Sequence, residues 1–218
     1  MNEKKWLNQW ELLDIFINFC NENNVWYSAD NQLLLYTTTN EKPETQEFEL
    51  DVMMTLDSYE KLRTEMHNNI LDNCKHSQYH SNVIKFVSNA DDIDENQPFI
   101  RINLIIPTNV KNVKKLFKIN NKLKNWASNL SSRKPINNLI WRLSFFNQTY
   151  KEIINILLEK ENEGFLVVNG KIDKNIYKFW IPNLTFNTHI QELNNLKIQC
   201  INEYHSYLTN LFEKEEKW

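Results

Sequence analysis

Glycine is nearly missing, with two in 218 residues. Loops that wrap phosphate in backbone N–H groups need several, so neither a P-loop nor a dinucleotide fingerprint can be written. Cysteine is scarce and odd in number. Cys20, Cys74 and Cys200 lie far apart, without the spacing of a disulfide framework or a zinc knuckle, which points to reduced thiols. No apolar run approaches the roughly 20 residues that cross a bilayer. The opening Met1 to Trp6 carries no signal-peptide stretch. These absences lead us to expect a cytoplasmic protein, with peripheral contact at the inner face of the membrane left open. Surplus basic charge is lacking too: the formal net charge is −3, so no nucleic-acid partner is expected. The five histidines share no metal-binding spacing.

What is present is material for a core. Hydrophobic residues make up 41% of the chain, including 7 Trp and 12 Phe, enough for one large domain. Trp6 to Asn23 reads as an amphipathic helix through Trp10, Leu13, Ile17 and Cys20. Val25 to Ser28 reads as a short strand. Asp30-Asn31-Gln32 then turns the chain or caps a short helix, and Thr37 to Thr45 reads as a loop. Asp57 or Ser58 is placed to cap a helix through Tyr59, Leu62 and Met66. Strands are expected at Asn82–Val87 and at Phe99–Ile106, the latter stopped by Pro107. Val110–Leu130 reads as a basic helix, and further helices as starting at Pro135 and spanning Tyr150–Glu161. Phe165–Val168, Tyr177–Pro182 and Leu196–Ile201 read as extended. Asn202 is placed to cap a final helix, Glu203–Glu213. Helices and strands are mixed, so the expected class is α/β (α+β), one domain over 1–218.

One stretch concentrates charge. In Glu47-Phe48-Glu49-Leu50-Asp51-Val52 the acids alternate with apolar residues, the pattern of a half-buried strand with three carboxylates on one face. Acids two apart lie roughly 7 Å from each other and repel, so such a face is either solvated or holds a cation. Hard cations take oxygen ligands, often one or two carboxylates together with substrate phosphates. Asp91 to Glu95 is also acidic but lacks the spaced ligands and turn glycine of a calcium loop, and reads as a solvated turn.

The order of these segments resembles the LicD family, phosphorylcholine transferases related to fukutin. The family pattern G-T-L-L-G is matched by Asn31-Gln32-Leu33-Leu34-Leu35. D-D-D-I-D is matched by Glu47-Phe48-Glu49-Leu50-Asp51, and D-Y-E-K-L by Ser58-Tyr59-Glu60-Lys61-Leu62 after Asp57. The I-D-I-F-P strand is matched by Ile102-Asn103-Leu104-Ile105-Ile106-Pro107, and the closing aromatic helix by Tyr204 to Phe212. The resemblance implies a nucleotidyltransferase-like mixed sheet flanked by helices. The core would span about residues 6–110, and a helical and C-terminal extension about 111–218.

It also implies that Glu49 and Asp51 hold Mg²⁺ or Mn²⁺, with Glu47 orienting the ligands or acting as base. Phosphorylcholine, or a related phospho-alcohol, would pass from a CDP-choline-like donor to a glycan or glycolipid hydroxyl. Asn31, Gln32, Arg101 and Asn103 would face the substrate, and Lys85 or the Lys114-Lys115 pair would contact phosphate. The departures are specific. The family glycines are replaced by Asn31 and Leu35, and the middle acid by Phe48. The third-acid position falls to Asn103, able to ligate without charge, or to Arg101, which would oppose a metal or grip a phosphate instead. Two alternatives stand beside this reading: a catalytically degenerate binding or scaffold protein, and a nucleotidyltransferase acting on protein or RNA.

Overall fold

The computed structural model describes residues 7–39, 49–76, 78–79, 81–94, 97–116, 149–170 and 176–212. The chain opens with helix α1, Gln9–Glu22. Asn8 caps it, accepting from the N–H groups of Trp10 and Glu11, while Glu11 reaches back to the Asn8 N–H at 2.8 Å. Its apolar stripe of Leu12, Leu13, Phe16, Ile17 and Cys20 is buried. Strand β1 (Tyr27–Asp30) runs directly into α2 (Asn31–Thr39). Then come β2 (Asp51–Thr55), α3 (Leu56–Glu65), β3 (Ile70–Leu71), β4 (Ile84–Val87) and β5 (Phe99–Thr108). After α4 (Val110–Leu116) and α5 (Tyr150–Leu157) follow β6 (Gly164–Val168), a 3₁₀ turn (Ile176–Phe179), β7 (Trp180–Ile181), β8 (Thr188–Leu193), β9 (Leu196–Ile201) and α6 (Tyr204–Phe212).

The fold is mixed α+β, as expected, and β5 is its spine. Its residues from Ile100 to Ile106 are all buried, as in a strand covered on both faces. One edge pairs in parallel with β2, from Asp51 opposite Arg101 to Thr55 opposite Ile105. The other edge is shared by two antiparallel partners, β4 along its first half and β6 along its second. Outward of these lie β1 on β2, β3 on β4 and β7 on β6, completing a seven-stranded sheet. The β8–β9 hairpin stands beside β1, where the Ile201 N–H donates to Ser28 Oγ at 3.0 Å. Under the sheet, Phe16 meets Tyr27 and Phe86 edge to face, at centroid distances of 5.3 and 5.6 Å.

Several expectations need correction. The acidic strand is not half-solvated: β2 begins at Asp51 and lies between β1 and β5, so Asp51, Val52, Met53 and Met54 are all buried. The expected Thr37–Thr45 loop is helical as far as Thr39, with each threonine hydroxyl of 37–39 donating to a carbonyl four residues back. Thr55, rather than Asp57 or Ser58, caps α3. Pro107 does not stop β5, because β2 ends its pairing at Ile105 and that edge needs no N–H two residues later. Asn202 turns its side-chain oxygen to His189 Nδ1 at 3.1 Å instead of capping α6. Ile176–Phe179 is a 3₁₀ turn rather than extended chain. The helix expected over Val110–Leu130 is described only as far as Leu116, and the one expected from Pro135 lies outside the described residues.

Candidate functional site

Strand register places four ionisable side chains in one row across the sheet. Asp30 on β1 lies opposite Asp51 on β2, Asp51 opposite Arg101 on β5, and Arg101 opposite Lys85 on β4. Residues paired side by side point to the same face, so this face carries two acids followed by two bases. Asn103, two residues beyond Arg101, belongs to the same face.

Each acid is held differently. Asp30 is fully buried and accepts three hydrogen bonds: from the Asn31 N–H at 2.7 Å, from the Tyr207 hydroxyl at 2.8 Å and from Asn103 Nδ2 at 2.7 Å. Burial raises its carboxyl above the usual range, while Asn103, Tyr207 and Asn31 pull it back. Asp51 is 2% exposed. Its Oδ2 accepts from Asn31 Nδ2 at 2.6 Å and faces Arg101 Nη1 at 3.5 Å. Burial pushes this carboxyl up to about 7, with the charges of Asp30 and Glu49 adding to the rise and Arg101 opposing it. The other oxygen, Asp51 Oδ1, is buried without a partner, as are Asn103 Oδ1, Gln32 Oε1 and Arg101 Nε.

Arg101 is the hinge of the arrangement. Its Nη2 lies 2.6 Å from Glu49 Oε1 while its Nη1 faces Asp51. Burial acts to lower its pKa, but the carboxylates of Asp51 and Glu49 outweigh this and the net shift is upward. One guanidinium thus engages both residues expected to ligate a metal. Glu49 and Asp51 do not fit a divalent cation as two open ligands, and among the described residues no group of three His, Cys, Asp or Glu is placed to hold one.

Asn31 opens α2 with φ of 46°, inside the left-handed region that Asn tolerates better than most residues. The backbone here thus keeps the conformation a glycine favours. Its amide occupies the space toward Asp51. Gln32 sits next to it at the start of α2.

The structure brings together Asn31, Glu49, Asp51, Arg101 and Asn103 in one network. Lys85 adjoins it through Arg101, with its Nζ 3.9 Å from the Phe99 ring centroid. Lys114 and Lys115 are exposed on α4 and are not part of the row. Glu47 lies outside the described residues. Sequence reasoning placed Asp30 in a turn or helix cap and not in the site, and missed the contact of Tyr207 with it. The usable signal was an acid ending a short strand where the next residue starts a helix. No helix among the described residues is long and apolar enough to cross a membrane. Neither a protein-family model, nor a curated protein, nor a solved structure matches the chain.

Proposed function

We propose that this chain is a LicD-like transferase in which Arg101 does the electrostatic work expected of a divalent cation. It would bind the diphosphate of a CDP-linked alcohol such as CDP-choline and pass the phospho-alcohol to a glycan or glycolipid hydroxyl. The observation that carries this reading is the position of Arg101, whose guanidinium bridges Glu49 and Asp51. A guanidinium is always charged and offers donors in a planar fork matched to phosphate oxygens. Held on a central strand, it supplies fixed positive charge where negative charge develops in phosphoryl transfer. Asp51 is the base: its unpartnered Oδ1 and its affinity near neutral pH suit it to take a proton from the attacking hydroxyl. The acceptor oxygen then bonds to phosphorus, the bond to the CMP oxygen breaks, and CMP leaves with the electron pair.

Calorimetric titration of CDP-choline, in EDTA and in Mn²⁺, tests this. The expected result is binding of equal strength in both, lost in Arg101→Met. Binding that needs Mn²⁺ and disappears in Asp51→Asn would overturn it in favour of metal-assisted transfer by Glu49 and Asp51. Absence of binding under both conditions would overturn it in favour of a binding or scaffold protein that keeps the fold alone. That second reading has one observation behind it, since Arg101 is only 8% exposed and already engaged by two carboxylates.

A further inference from the structure

The two carboxylates on Arg101 are unlike each other. Asp51 belongs to β2 and its side chain is 3% exposed, whereas Glu49 precedes the strand and its side chain is 49% exposed. Between them Leu50 is buried, and its carbonyl accepts from the Arg101 N–H at 2.9 Å. The backbone beside Glu49 is therefore pinned while its carboxylate faces water. Glu49 also makes the shorter contact, 2.6 Å against 3.5 Å. Behind it, Arg101 Nε is buried without a partner, and Lys85 is the next side chain in the row. A carboxylate and a phosphate present the same kind of oxygen edge to a guanidinium.

We infer that Glu49 is a built-in competitor for an anion site at Arg101, and that a phosphate-bearing ligand binds by displacing it. The inference rests on the reading that Arg101 receives phosphate, and gives that site an internal control. When the Glu49 side chain rotates outward, Nη2 opens to the side from which Glu49 approaches. The incoming oxyanion takes the place of the carboxylate, and β2 need not move. The charge facing the oxyanion is Arg101, with Asp51 beside Nη1, while the Lys85 ammonium lies over the Phe99 ring. The Asp30 carboxylate is turned toward Asn31, Asn103 and Tyr207.

The sign of one substitution separates this role from that of a metal ligand. Pyrophosphate is titrated into the full chain in EDTA by calorimetry, for the unaltered protein, Glu49→Gln and Glu49→Gln/Arg101→Met, with the unfolding midpoint of each recorded. Glu49→Gln is expected to bind about tenfold tighter than the unaltered chain, equivalent to about 1.4 kcal/mol, and the double variant to lose the binding. Equal or weaker binding in folded Glu49→Gln would overturn the inference, as would tight binding that survives loss of Arg101. CDP-choline run in parallel keeps the two readings apart. Pyrophosphate binding that tightens in Glu49→Gln while no variant binds CDP-choline upholds the competitor and removes the proposed donor. CDP-choline binding that depends on Arg101 but not on Glu49 upholds the donor and overturns the competitor.

Discussion

Replacing Arg101 with methionine keeps the unbranched apolar stem and removes the guanidinium that two carboxylates share. Removing one partner of a buried ion pair typically costs about 3–5 kcal/mol, because the other charge is left unpaired in a poorly polarisable site. Two features reduce that cost here. Glu49 is half exposed, so its pair with Arg101 is screened and contributes about 1 kcal/mol or less. Asp51 has another route, which is to hold a proton. Its carboxyl is raised from 3.8 to about 7, so between these values the folded protein keeps a proton that the unfolded chain has released. Stability from this group is therefore complete below about pH 4 and is lost as pH rises through about 7. Without Arg101 the affinity of Asp51 for its proton rises further. At about pH 5 the carboxyl is neutral in both proteins, and Arg101→Met is expected to cost about 1 kcal/mol, the Glu49 contact alone. At about pH 8 it is charged in the unaltered protein, and the cost is expected to reach about 3 kcal/mol. Urea unfolding across this range measures both values. Adding Asp51→Asn should flatten the dependence on pH. A cost that is the same at both ends, or below about 0.5 kcal/mol throughout, would refute the coupling.

Tyr207→Phe removes the hydroxyl that holds Asp30 Oδ1 and should lower stability by about 1–2 kcal/mol, read by chemical denaturation. Asp72 is the contrasting acid. It is buried and acts to resist ionisation for that reason, but Arg63 Nε at 2.8 Å, the Lys75 N–H and the Tyr59 hydroxyl prevail and its carboxyl is lowered. Its contribution is present above the usual carboxylate range and is lost as pH falls through its lowered value, so Asp72→Asn should weaken the fold most at neutral pH and least in acid. Gly170→Ala should cost about 2 kcal/mol or more in thermal or urea unfolding. Gly170 has φ of 79°, and an added Cβ would lie 2.8 Å from the Val83 backbone nitrogen.

How much of this was legible in the sequence follows from the range of each interaction. Helix α1 was readable because its stripe is local: Leu13, Ile17 and Cys20 repeat at helical spacing, although its cap at Asn8 was not read. The hairpin strand β8 was missed, although its turn at Asn194-Asn195 adopts φ of 49° and 64°, the left-handed pair that two-residue hairpins favour. Thr188 to Leu193 is only loosely alternating, so the turn was the stronger signal. The acids of Glu47–Asp51 were legible as a cluster, but their burial was not, because alternation looks the same at a sheet edge and at a covered centre. What separates the two is the pairing of Asp51 with Asp30 on one side and Arg101 on the other. Those partners come from strands far from Asp51 along the chain, and no local period reports them. Arg101 shows the limit most clearly. In sequence it occupies a strand position where a third acid or a neutral ligand was sought, and its charge reads as a defect in a metal site. In space the same charge offsets the Asp51 carboxylate that burial penalises and pairs with the exposed Glu49, so the site is better described by which cation it carries within the chain than by the ligand it lacks.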